Sequence, residues 1–166
     1  VSKGTSSVKN GYESITGQIN VEYKKPFNKE KLFLNFFANN AGRLEGEINS
    51  SIRVSPKWST GVFGHVSNQS TRIDNNNDTF LDDPLFTQVN LFNRWNLSSD
   101  KMEGQFGVKF LAEDRKGGQA GYYNSNEPAT KNFYGTKIKT NRLEVFSKTG
   151  FFLNRPQTSI GWINSY

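Results

Sequence analysis

Along much of this chain, apolar and polar residues alternate one by one. Leu44, Gly46, Ile48, Ser50, Ile52 and Val54 interleave with Arg43, Glu45, Glu47, Asn49, Ser51 and Arg53. A strand points successive side chains to opposite faces, so this run predicts a two-sided strand with one apolar or small phase and one charged phase. Met102, Gly104, Phe106, Val108, Phe110 and Ala112 repeat the pattern against Glu103, Gln105, Gly107 and Lys109, with Leu111 breaking it. Leu143, Val145, Thr149, Phe151 and Leu153 do so against Arg142, Glu144 and Lys148, with Phe146 and Phe152 as exceptions. The spacing predicts about seven strands, over 31–39, 43–54, 58–69, 85–97, 101–113, 139–153 and 157–166. Most exceed the globular mode of roughly 5–6 residues and match the roughly 9–11 of a transmembrane strand. No segment carries a helical period.

The connections alternate in length. After a tight turn at 39–42, the links at 55–58, 98–101 and 154–157 are short, whereas 70–84 and 114–138 are long. Outer-membrane barrels have this asymmetry, with short periplasmic turns and long outer loops. Trp58, Trp95 and Trp162 fall on the apolar phase; Trp58 and Trp95 lie next to short turns, where an interfacial aromatic girdle belongs, and Trp162 lies further in. Core packing is the plainer explanation for any one of them. On the barrel reading, Leu44, Ile48, Ile52, Val89, Leu91, Phe106, Val108, Val145 and Phe151 face lipid.

Composition narrows the choice. Hydrophobic residues make up 34% and mean hydropathy is -0.70, below the roughly 45–50% apolar content of an ordinary domain. Yet aromatics reach 14%. A barrel fits, because only alternate residues meet lipid; so does a β protein with long polar loops. The absence of cysteine excludes disulfides and thiolate chemistry. His65, the one histidine, falls on the polar phase of the third strand as a structural hydrogen-bonder, and no Ser/His/Asp set accompanies it. The expectation is a protein that is not an enzyme. The net charge of +6 is dispersed without a Lys/Arg run, which gives no reason to expect a nucleic-acid partner.

Residues 1–25 differ. Gly4, Gly11 and Gly17 punctuate a Ser/Thr/Asn-rich stretch that leads into Ile19, Val21 and Tyr23, a turn-rich element ending in a strand. Within it stand Ser6-Ser7-Val8 and then Gly11-Tyr12-Glu13-Ser14-Ile15-Thr16-Gly17-Gln18-Ile19-Asn20. This stretch resembles the C-terminal end of the plug of TonB-dependent outer-membrane receptors, in the form common in Bacteroidetes. Ser14 and Gln18 replace the Ala and second Gly of the broader pattern. Lys24-Lys25-Pro26 resembles the crossing into the first barrel strand, and Glu113-Asp114-Arg115-Lys116-Gly117-Gly118-Gln119 is a further similarity. The specific motif covers about twenty residues; the rest of the likeness is architectural.

The resemblance implies an all-β, antiparallel up-and-down transmembrane β-barrel, here partial, preceded by the end of a plug domain: plug over 1–25, barrel over 26–166. A full barrel of this kind has roughly 22 strands, so the TonB box, most of the plug and most of the barrel would lie elsewhere. It also implies residence in the bacterial outer membrane and uptake of a scarce nutrient, such as an iron–siderophore, haem or cobalamin. The implied partners are membrane lipid, the TonB complex and a surface lipoprotein. A soluble β-sandwich adhesion or carbohydrate-binding module is the alternative.

Two candidate sites follow, both on the long connections, since loops carry function where a scaffold tolerates insertions. Arg115, Gln119, Tyr122, Tyr123, Phe133 and Tyr134 are the candidate contacts for ligand or lipoprotein, unless these aromatics pack the loop on itself. Asp74, Asn76, Asp78 and Asp82 occupy positions one, three, five and nine of a calcium loop. Position six is Thr79 instead of Gly, and position twelve is Leu85 instead of Glu. The favoured reading is a solvated loop rich in turn-forming residues; no other cofactor is expected.

Overall fold

The computed structural model describes residues 2–3, 17–18, 31–123, 133–155 and 158–166. Most of the plug-like stretch lies outside the described residues. Of it, β1 (Ser2–Lys3) and β2 (Gly17–Gln18) form a two-stranded antiparallel sheet.

The principal sheet has seven strands: β3 (Leu32–Ala38), β4 (Arg43–Arg53), β5 (Trp58–Gln69), β6 (Leu85–Ser98), β7 (Met102–Gly118), β8 (Gly135–Phe152) and β9 (Ser159–Ser165). Every strand pairs antiparallel with its chain neighbours, in the order β3 to β9. This is an all-β up-and-down meander. It is not closed: β3 and β9 remain edges of the sheet. The described residues show no Greek-key crossover and no second sheet of comparable extent.

The expected strands recur with boundaries moved by a residue or two, except around the second long connection. There β7 runs on to Gly118 and β8 begins at Gly135, so the connection expected over 114–138 shrinks to 119–134. The extension is a continuous ladder, from Asp114 opposite Lys139 to Gly118 opposite Gly135. Its sequence hides it, because charged residues occupy both phases there and the alternation vanishes. Gly118 ends β7 with a φ of +115°, and a Cβ there would stand 2.6 Å from the Tyr134 carbonyl oxygen. Glycine is required for that close approach and that backbone conformation.

Register settles which side chains share a face. Ile48 opposes Leu34 and Gly64, Gly64 opposes Leu91, Leu91 opposes Phe110, and Phe110 opposes Leu143. The apolar phases of all these strands coincide. A slip of one residue in any pair would turn its apolar set to the other face, and no pair has slipped. The apolar face lies open: Phe36 is 79% exposed, Leu143 62% and Ile52 57%. The buried side chains, Ser59, Ser67, Gln69 and Phe92, all belong to the polar phase. An ordinary domain inverts this distribution, burying its large apolar residues.

Candidate functional site

The apolar face is the larger of two candidate functional surfaces. On β7 its band runs from Met102 to Ala112, about 34 Å along the strand at roughly 3.4 Å a residue. Tilted by about 45°, that strand would cover about 24 Å of height, against an apolar band of about 25 Å in outer-membrane barrels. At the short-connection end, Trp58 meets Trp95 edge-on at 6.2 Å and stacks with Phe106 at 6.1 Å. The Trp95 indole N–H donates to Asn93 Oδ1 at 2.8 Å. An aromatic ring with one polar tip suits a boundary between apolar and wet surroundings. Trp162 shares the phase and stands opposite Thr149, further from its turn.

The polar face is organised in rows across the strands. Nearest the long connections, Arg43, Gln69, Phe86 and Arg115 lie on one row. The guanidinium carbons of Arg43 and Arg115 sit 5.5 and 5.0 Å from the Phe86 ring centre, within cation–π range. The next row carries Glu45, Ser67, Gln88 and Glu113. Glu113 accepts from Arg115 Nε at 2.9 Å and from Gln88 Nε2 at 2.5 Å, while Glu45 pairs with Arg43 and with His65 Nε2 at 3.3 Å. Deeper still, Phe63 stacks on Phe92 at 5.6 Å, and Phe92 meets Phe146 at 6.0 Å. The two rings lean over Gly107, where a Cβ would collide with Phe146 and stand 2.9 Å from Phe92 Cε2. In sequence, Phe146 was only an exception to the alternation. Its meaning lies in register, which sets Gly107 directly opposite and which no local pattern reveals.

The residues proposed for ligand contact do not form one surface. Arg115 belongs to β7 and points to the polar face, so its expected place on a loop is corrected: the strand outlasts the alternation. Gln119 joins the two long connections. It bridges to Phe80, its Oε1 accepts from the Tyr134 amide at 2.7 Å, and its own amide donates to the Tyr134 carbonyl at 2.8 Å. The Ala120 and Leu81 amides add bonds to the Thr79 and Gly118 carbonyls, each at 2.9 Å. Tyr122 and Tyr123 lie in a 3-10 turn, Ala120–Tyr123. Tyr122 packs on Gly135 and Phe133 on Gly121, while Tyr134 meets Phe80 at 6.4 Å. Phe80, Tyr122, Phe133 and Tyr134 therefore pack the connections against one another, although Phe133 and Tyr134 keep 42% and 65% exposure; the Tyr123 side chain lies outside the described residues. The link between the two connections had no signal in sequence.

The Asp/Asn loop uses its oxygens on its own backbone. Asp74 accepts from the Asp78 and Thr79 amides at 3.1 and 3.0 Å, Asp78 from Phe80 at 2.8 Å, and Asp82 from Asn75 at 2.9 Å. Asn76 accepts from the Asp78 amide at 3.1 Å and donates to the Asp78 carboxylate at 3.0 Å. Such side-chain bonds define turns. Among the described residues no cluster of His, Cys, Asp or Glu is arranged to hold a metal ion.

No protein-family profile, curated protein or solved structure matches this chain.

Proposed function

We propose that this chain forms consecutive wall strands of a bacterial outer-membrane importer of the TonB-dependent receptor type. One observation carries the reading: a single-layer meander exposes a predominantly apolar band of membrane height on one phase, with only uncharged polar residues such as Asn93 within it, and gathers charged and hydrogen-bonded side chains on the other. Open loops and sheet edges are intolerable in hydrocarbon, so a sheet that spans it must close. Further strands then join β3 to β9. The short connections after β4, β6 and β8 face the periplasm; the long ones, with the tight turn after β3, face the exterior, where Phe133 and Tyr134 are the exposed candidates for contact with ligand or a surface lipoprotein. The cargo class is a metal chelate: an iron–siderophore, haem or cobalamin. The plug resemblance at 11–20 supports the importer class and brings the TonB complex as energy source; metal chelates are the cargo proposed because they are commonest in that class, and no residue of this chain selects them over a glycan. A soluble adhesion module would need a second sheet to cover the apolar band.

The test is uptake by intact cells. Cells that make the protein should accumulate one of these radiolabelled chelates, and an uncoupler of the proton-motive force should stop it. Accumulation equal to that of cells lacking the protein, for every chelate in the panel, would refute the importer reading.

A further inference from the structure

We infer that Lys116, Lys137 and Lys139 form a docking site for the phosphate group of an anionic membrane lipid, on the outside of the sheet just beyond its apolar band. The inference rests on the membrane reading above and deepens it by naming a lipid partner. It begins with an asymmetry. Within the described strands of the principal sheet, the only charged residues on the apolar phase are Asp114, Lys116, Lys137 and Lys139. All of them lie together on β7 and β8, at the long-connection end. At the opposite end that phase carries Ile52, Trp58, Leu97, Met102 and Phe151, without a charge.

The cluster holds more cations than anions. Lys116 stands directly opposite Lys137 across the β7–β8 ladder, and like charges so opposed repel. Asp114 supplies one carboxylate for the group. Its Oδ2 lies 3.6 Å from Lys139 Nζ and 3.7 Å from Lys137 Nζ, beyond the roughly 2.7–2.9 Å of a tight charge-assisted bond. Three ammonium groups against one carboxylate leave two positive charges. The side chains of Lys137 and Lys139 are 47% and 64% exposed, so an anion has access to them.

Height selects the anion. Ala112 ends the apolar band, and Lys116 lies about 13 Å further along the strand, at headgroup level once the strand tilt is applied. Lysine stems run along apolar surface while their ammonium groups seek polar surroundings. A phosphate-bearing lipid beside the wall offers its acyl chains to the band and its anion to the lysines.

The experiment counts lipid bound to the detergent-solubilised protein by native mass spectrometry, with phosphatidic acid or phosphatidylcholine as probe. The unaltered protein should prefer phosphatidic acid. Substituting Lys116→Gln, Lys137→Gln and Lys139→Gln together should weaken that binding about tenfold or more, since each lysine near an anionic headgroup contributes about fivefold. Lys57→Gln with Lys101→Gln, at the other end, should leave it unchanged. Arginine at the same three positions should retain binding, and carries the comparison if the glutamine variant folds poorly. Equal binding of both lipids, or binding indifferent to the three lysines, overturns the inference. Displacement by an equal concentration of inorganic phosphate would mark a free-anion site instead and overturn lipid docking. Insertion into neutral phosphatidylcholine vesicles, read by protease protection, separates the two levels of argument. Tested on the full-length protein that contains these strands, insertion without a preference for phosphatidic acid sinks this inference alone; failure of the full-length protein to insert sinks the membrane reading with it.

Discussion

Glu47 and Ile48 are neighbours in the chain, and they meet different worlds. Ile48 lies in a row with Leu34, Gly64, Leu91 and Phe110, open to its surroundings. Glu47 lies in a row with His65 and Asn90, among hydrogen bonds that join polar side chains of β4 to β5 and of β6 to β7. The polar face holds the buried side chains and the contacting rings of Phe63, Phe92 and Phe146; the apolar face holds almost nothing buried. In water such a sheet would be inside out. The medium that each face meets sets its composition. A face that gains nothing from mutual burial is suited to a medium as apolar as itself, and a face walled off from that medium must satisfy its polar groups internally.

The comparison breaks most readily at the centre of the apolar face. Ile48→Arg should destabilise the folded, vesicle-inserted protein by about 2–4 kcal/mol, the cost of a guanidinium near the midplane of a barrel's lipid face. Ile48→Ala should cost far less. Denaturant titration in vesicles gives both numbers, and equal stability of the two variants would mean that Ile48 does not meet hydrocarbon.

A smaller effect sharpens the polar side. Gly107→Ala puts a methyl group where Phe146 and Phe92 already lie, and overpacking of this kind costs about 1–3 kcal/mol. Phe146→Leu in the same chain should return part of the loss by freeing space. If Gly107→Ala is neutral in the same titration, the aromatic strip is not a packed unit.

The strand phases and the order of short and long connections were legible because both are local. A side chain's face follows from its parity, and a tight turn joins adjacent strands. Trp58 and Trp95 could be placed near one end for the same reason. What escaped depends on register. Arg115 was assigned to a loop because Asp114, Arg115 and Lys116 are all charged, and parity conveys nothing once both phases are polar. Phe146 looked like an error in the pattern until Gly107 stood opposite it. The tie between Phe80, Gln119 and Tyr134 joins segments far apart in the chain, and neither segment carries a sign of the other. The calcium spacing of Asp74, Asn76, Asp78 and Asp82 was readable, but only geometry shows those oxygens engaged with backbone amides.

In a membrane-spanning wall, one phase of this sheet meets hydrocarbon and the other does not. A nitroxide scan along β4, one spin label at a time from Leu44 to Ile52 in lipid vesicles, tests it most directly. Collision rates with oxygen, which partitions into lipid, should peak at Leu44, Gly46, Ile48, Ser50 and Ile52. Rates with a water-soluble nickel chelate should peak at the residues between them. A lipid-exposed barrel wall predicts opposite oscillations of period two. Oxygen and nickel rates that rise and fall together, or show no alternation, would contradict it.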